Sequence, residues 1–136
     1  MDGELERIAA FRTELRRFLS RTAVATAEAG LTPERYDLLL MIKAAADSGQ
    51  PSTVTQLCDS LQLRQTAVSE LVKRAEEAGL VVRRPSQEDG RVSLLGLTPE
   101  GEKRLLGVFE ALRADREAFA QAFSLLGQRF RAAAAR

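Results

Sequence analysis

Two short helical segments joined by only three residues, followed at once by a hairpin and a third helix start, constrain this chain more than any other feature. Thr53-Val54-Thr55-Gln56 fits a capping box, with Thr53 as the cap and Gln56 reaching back to it. The helix it opens should end near Leu61. Gln62-Leu63-Arg64 leaves room for a tight turn before a second helix runs from Gln65 to Ala78, with Gly79 just past its end. Such a pair is a helix-turn-helix. Leu80 to Arg84 reads as a short strand ended by Pro85. Ser86-Gln87-Glu88-Asp89-Gly90 reads as a polar loop, and Arg91 to Leu97 as a second strand with Val92 and Leu94 alternating. Leu97-Thr98-Pro99-Glu100-Gly101 then opens another helix. A helix followed by a hairpin with an arginine at its tip suits duplex DNA. The helix fits the major groove, and the cation fits the narrow minor groove beside it.

The flanks read as longer helices. In residues 4–29, Leu5, Ile8, Phe11, Leu15, Phe18 and Leu19 recur at helical spacing, and Gly30 is the stop. Thr32-Pro33-Glu34 starts a second helix: Thr caps, Pro is pre-set for the first position, and Glu suits the positive end of the dipole. Its nearly all-apolar run from Tyr36 to Ala46 predicts a buried central helix, and Asp47-Ser48-Gly49-Gln50-Pro51 a turn. After Thr98 a long stripe holds Leu105, Val108, Phe109, Leu112, Phe119, Phe123, Leu126 and Phe130. A break near Gly127 and one between Ala114 and Ala120 are both open, and Ala132 to Ala135 should fray.

All six phenylalanines, Phe11, Phe18, Phe109, Phe119, Phe123 and Phe130, lie in the first and last helices. They could pack only within the chain, or also form a subunit interface. The interface is favoured, because a central unit of about 65 residues cannot cover two aromatic stripes alone. The expected fold is mainly α with a small β wing. Residues 31–98 form a winged helix-turn-helix, flanked by dimerisation helices in 1–30 and 99–136, the whole a single domain.

Composition narrows the function. Apolar residues are 45% of 136, enough for a core and too many for disorder. The formal charge is only +1. In residues 51–97 six cations (Arg64, Lys73, Arg74, Arg83, Arg84, Arg91) face six acids (Asp59, Glu70, Glu76, Glu77, Glu88, Asp89), so DNA binding must depend on where the charges sit. With one cysteine, Cys58, and no histidine, an internal disulfide is excluded, and no metal centre or cofactor is expected. No nucleophile–base pair or glycine-rich phosphate loop appears, so no catalytic residues are assigned and an enzyme is not expected. No apolar run approaches the roughly 18–20 residues of a membrane span. Met1-Asp2-Gly3-Glu4 lacks the pattern of a signal peptide, so the cytoplasm is the expected compartment.

In order along the chain, several segments resemble the MarR family of winged helix-turn-helix transcriptional regulators. They are Gly30-Leu31-Thr32, Thr53-Val54-Thr55-Gln56-Leu57, Val68-Ser69, Leu71-Val72-Lys73-Arg74, Gly79-Leu80-Val81, Arg83-Arg84, Asp89-x-Arg91 and Leu97-Thr98-x-x-Gly101. The resemblance covers nearly the whole chain, and the wing pattern combined with the Leu-Thr-x-x-Gly spacing is its most specific part. It implies a homodimer joined by terminal helices, a palindromic operator in double-stranded DNA, and repression often relieved by a small aromatic or phenolic ligand. Three positions depart from the family's pattern. Arg64 stands where a small capping residue is usual, Glu70 where a basic or neutral one is usual, and Ala75 where Leu is usual. Some relatives sense peroxides through a cysteine in the first helix. Cys58 lies elsewhere, at a position where the family usually has Ala, and reads as a small core residue.

The DNA-binding candidates follow. On recognition helix 65–78, Val68, Leu71, Val72 and Ala75 face inward, leaving Gln65, Thr66, Ser69, Glu70 and Lys73 outward. Gln65, Ser69 and Lys73 line one face and suit base or backbone contacts. In wing 81–97, Arg91 is the minor-groove candidate, with Asp89 to hold its side chain. One of Arg83 and Arg84, with Arg84 preferred, should meet phosphate. Arg64, Thr53 and Thr55 are further phosphate candidates. Arg74 could contact phosphate or pair with an acid of the wing. A ligand pocket is expected around Phe18, Tyr36, Leu40 and Phe109. The alternative function is a winged-helix protein-interaction module without DNA affinity.

Overall fold

The computed structural model describes residues 3–136, so the acidic start at Met1 and Asp2 lies outside the described residues. Eight elements follow one another: α1 (Glu4–Glu28), α2 (Pro33–Asp47), α3 (Val54–Leu61), α4 (Gln65–Glu77), β1 (Val81–Pro85), β2 (Ser93–Leu97), α5 (Pro99–Ala111) and α6 (Arg113–Ala134). The protein is mainly helical, with one two-stranded antiparallel wing. It forms two compact units. One holds Thr26–Gly107, and the other holds the chain up to Ala25 together with Val108–Arg136.

The winged unit is built from locally encoded ends. Thr32 caps α2 by accepting from the Arg35 N–H at 3.1 Å. Thr53 and Gln56 form the reciprocal capping box on α3, at 3.3 and 2.9 Å. Helix α4 ends in a Schellman motif: the Gly79 N–H bonds to the Glu76 carbonyl and the Leu80 N–H to the Ala75 carbonyl, both at 2.9 Å. Gly79 takes φ +75°, as that motif requires. Helix α3 closes in the same way on a non-glycine, Gln62, at φ 53°. The Gln62 side-chain amide donates to the Asp59 carbonyl at 2.7 Å.

The core centres on α2, whose Leu38, Leu39 and Ile42 are fully buried. It packs on α3, α4 and β2, which bring Leu57, Val68, Val72, Ala75 and Leu95 into the same interior. Lys43 on α2 pairs with Asp47 and with Glu102 of α5, each at 3.0 Å.

The wing differs from the expected strands in three ways. Leu80 is not a strand residue, because its N–H is used to close α4. Pro85 is inside β1, paired with Ser93 at the end of the ladder, where its missing N–H costs nothing. Strand β2 starts at Ser93 rather than Arg91, because Val92 belongs to the turn. Its N–H goes to the Asp89 carbonyl at 2.9 Å, and its carbonyl takes the Ser86 N–H at 2.8 Å. Leu95 is therefore the buried residue of β2, while Val92 is exposed and Leu94 half-buried. The loop sets the register, and a one-residue change of phase exchanges the faces. A backbone bond from the Leu95 N–H to the Ser52 carbonyl, at 2.9 Å, ties the wing to the α2–α3 connection.

Gly101 has a tertiary reason to be glycine. A Cβ there would stand 2.1 Å from the Leu80 carbonyl oxygen. Thr98 enforces this approach, because its N–H bonds to the Leu80 carbonyl at 3.0 Å and its hydroxyl donates to the Gly79 carbonyl at 2.6 Å.

In the other unit, Phe18 stacks on Phe119 with centroids 5.0 Å apart, and Phe11 meets Phe119 and Phe123 at 6.0 and 5.7 Å. Arg21 pairs with Asp115 at 3.2 Å. The long helix breaks at Leu112, upstream of both expected places. Arg116 straddles the break: its guanidinium lies 3.6 Å from the Phe109 ring centroid and donates to the Phe109 carbonyl. Helix α6 runs to Ala134, through most of the stretch expected to fray, and has no buried residue.

Candidate nucleic-acid interface

Helix α4 presents the face that its periodicity predicts. Val68, Val72 and Ala75 are fully buried and Leu71 half-buried, which turns Gln65, Thr66, Glu70 and Lys73 outward and leaves Ser69 half-buried beside them. Arg64 occupies the N-cap with extended backbone and makes no side-chain capping bond, so its guanidinium is not used to close the helix. Thr53 lends its hydroxyl oxygen to the Gln56 N–H, and Thr55 is exposed on the first turn of α3.

The winged unit sorts its charges by pairing. Glu70 binds Arg74 one turn along α4 at 3.0 Å, which removes the repulsion an isolated acid would set against phosphate. This also settles Arg74, whose acid lies on its own helix rather than in the wing. Glu76 binds Arg83 of β1 at 2.7 Å. Arg84 points to the other side of the strand. Among the described residues Arg64, Lys73 and Arg84 are in no ion pair. A sequence stretch of zero net charge therefore exposes uncompensated cations on α4 and the wing.

At the wing tip Asp89 accepts from both the Arg91 backbone N–H, at 3.0 Å, and the Arg91 Nε, at 3.2 Å. These two bonds, the backbone one first, hold the Asp89 carboxyl below its ordinary range. They steer Arg91 while its side chain stays 92% exposed.

The expected ligand residues do not share a described cavity. A cavity of about 710 Å³ behind the wing is lined by residues that include Lys43, Pro51, Val82, Arg84 and Leu97. A smaller cleft of about 190 Å³ involves Arg7, Phe11, Leu126 and Arg129. Neither includes Phe18, Tyr36, Leu40 or Phe109. Phe18 is stacked on Phe119, Phe109 lies under Arg116, Tyr36 is buried and Leu40 half-buried.

Sequence reasoning missed Glu76 as a partner and Ser52 as an anchor. No periodicity rule joins Glu76 to Arg83, because the helix ends between them. Strand alternation could have separated Arg83 from Arg84, since neighbours on a strand face opposite ways.

Residues 29–92 match the model of the MarR family. An HTH-type transcriptional regulator of Bacillus subtilis, YdgJ, is 29% identical over 90 residues, covering 66% of this chain and 50% of that protein. The match thus spans about half the length of this curated relative. A crystal structure of a MarR family transcription regulator superposes with TM-score 0.73 at 23% identity, over 98% of this chain and 93% of that one. A mutant MarR from E. coli complexed with operator DNA superposes with TM-score 0.72 at 17% identity, over 92% and 91% of the two chains. A mutant MepR from S. aureus bound to an oligodeoxyribonucleotide gives TM-score 0.67 at 19% identity, over 83% and 80%. At these identities the superpositions show a shared fold.

Proposed function

Because the chain belongs to the MarR family of winged helix-turn-helix transcriptional regulators, whose members are not enzymes, we propose that it is a homodimeric DNA-binding repressor of a palindromic operator. Helix α4 enters the major groove with Gln65, Thr66, Ser69 and Lys73. Arg91 of the wing enters the adjacent minor groove, guided by Asp89. Arg64, Arg84, Thr53 and Thr55 meet phosphates. The observation that carries this reading is the sorting of charge. The acids Glu70, Glu76 and Asp89 each hold an arginine, and the cations left over lie on the helix and wing.

Dimerisation is assigned to α1 and α6. Leu5, Leu19, Val24, Phe123 and Leu125 are each at least half exposed there, and an apolar surface of that kind is buried by a second copy. A small aromatic or phenolic effector would relieve repression by shifting the two recognition helices away from a half-site spacing of about 34–36 Å. The expected effector neighbours stay Phe18, Tyr36, Leu40 and Phe109. The DNA partner assigns the protein to the cytoplasm. No described helix is long and apolar enough to cross a membrane.

Fluorescence anisotropy against DNA flanking the protein's own gene, at several salt concentrations, tests the reading. One dimer per site should bind, with affinity falling steeply as salt rises, by roughly a thousandfold between 50 and 200 mM for about six phosphate contacts. Affinity no better than for random duplex, with a flat salt dependence, would replace this reading with the protein-interaction module.

A further inference from the structure

Arg83 and Glu76 deepen this reading, and the inference rests on it. Their ion pair spans the turn from the last residues of α4 to the middle of β1. The Arg83 Nε lies 2.7 Å from Glu76 Oε1, and the two side chains are only 37% and 32% exposed. That is a short, charge-assisted hydrogen bond in a partly shielded place, unlike the open pair at the wing tip. Around it the connection is closed on one side only. The Gly79 and Leu80 amides bind back onto α4, and the Thr98 hydroxyl and N–H bind the Gly79 and Leu80 carbonyls. Those bonds fix the turn. They do not fix the direction in which the distal half of β1 leaves it. The Glu76–Arg83 bond is the one described side-chain link from α4 to β1 beyond the turn.

We propose that Glu76 and Arg83 form a positioning strut, which holds the wing at the angle that lets the recognition helix and Arg91 engage DNA together, and that Arg83 does not itself contact DNA. The lever is long enough to matter. From Arg83 to the start of the hairpin loop is about 10 Å of strand at 3.3 Å per residue. A swing of about 15° would carry the loop by about 2–3 Å, well outside the few tenths of an ångström that a hydrogen bond tolerates.

The sign of one substitution separates a strut from an electrostatic role. Glu76→Gln removes a negative charge near the phosphates, which by charge alone would tighten DNA binding. A strut requires the opposite. The test is anisotropy titration of the full-length dimer and its variants at several salt concentrations, with amide hydrogen exchange of β1 and β2 measured alongside. Glu76→Gln and Arg83→Gln should each weaken binding about fivefold to tenfold, and should speed exchange in the wing. The slope of log affinity against log salt should stay that of wild type. The exchanged pair, Glu76→Arg with Arg83→Glu, should recover most of both losses.

The proposal is overturned if Glu76→Gln binds as tightly as wild type or tighter while Arg83→Gln flattens the salt slope by about one contact, because Arg83 would then be a phosphate ligand. It is equally overturned if neither variant changes wing exchange. Should wild type itself bind no DNA, the functional reading fails. The exchange measurements then decide separately whether the pair holds the wing.

Discussion

The two units solve the problem of burial differently. Between Thr26 and Gly107, one continuous interior runs through Leu38, Leu39, Ile42, Leu57, Val68, Val72, Leu80, Leu95 and Leu105, each at most 2% exposed. In the other unit α6 buries nothing, and Leu5, Leu19, Val24, Phe123 and Leu125 face solvent although they are as apolar as the core residues. The winged unit is finished by its own chain. The terminal helices make aromatic contacts with each other and still leave a surface that needs another molecule. A DNA-reading unit benefits from this division: a rigid reading head stays constant, while the partner-dependent surface sets the distance between two heads.

The largest effect should come from Gly101→Ala, which drives a methyl group into the Leu80 carbonyl at 2.1 Å. Chemical denaturation followed by circular dichroism should show a loss of about 3 kcal/mol or more. A near-neutral result would mean that α5 can back away from the turn, so the winged unit is less rigid than its contacts imply.

Next comes a matched pair. Leu39→Ala, at a fully buried site, should cost about 2–5 kcal/mol of folding stability. Leu125→Ala, at a site 50% exposed, should change the folding of an isolated protomer by less than about 0.5 kcal/mol. Sedimentation velocity gives the complement: Phe123→Asp should shift the protein towards monomer at micromolar concentration, and Leu39→Ala should not at temperatures where it stays folded. A Phe123→Asp variant that remained fully dimeric would move the subunit interface away from α6.

Within the winged unit, Arg91→Ala should weaken operator binding roughly tenfold or more, with fold and dimer intact. Unchanged affinity would remove the wing from the interface. The smallest effect concerns pH. The Asp89 carboxyl is held below its ordinary range by Arg91, so its contribution is present above the usual carboxylate range and is lost as pH falls through the lowered value. In an NMR titration the Arg91 amide should shift together with Asp89, below the region where exposed aspartates titrate. An ordinary titration would show that the tip bond does not persist in solution.

Much of this was legible because helix ends are local events. Thr32, Thr53 with Gln56, Gly79 and Thr98 act through groups three to five residues away, and they fixed most helix boundaries to within a residue. The wing was read less well. Val92 and Leu94 were expected to alternate, whereas Leu95 is the buried residue, because the phase of β2 is set by how the loop from Ser86 to Val92 closes. The break in the long helix was also out of view. Leu112 is an ordinary helix former, and the support for the break comes from Arg116 packing on Phe109. Of the interface, the outward face of α4 and the Asp89–Arg91 tip were visible in the spacing.

The sequence by itself determined the order of helices, the helix-turn-helix, the hairpin and the family, since each rests on capping, periodicity and turn chemistry within a few neighbouring residues. Only the tertiary structure decided which charges are available. Six acids and six cations cancel on paper in residues 51–97, and they cease to cancel locally once Glu70 is matched to Arg74, Glu76 to Arg83 and Asp89 to Arg91. Coulomb attraction acts through space rather than along the chain. Which arginine is tied and which is exposed therefore depends on how α4, the turn at Gly79 and β1 are folded onto one another.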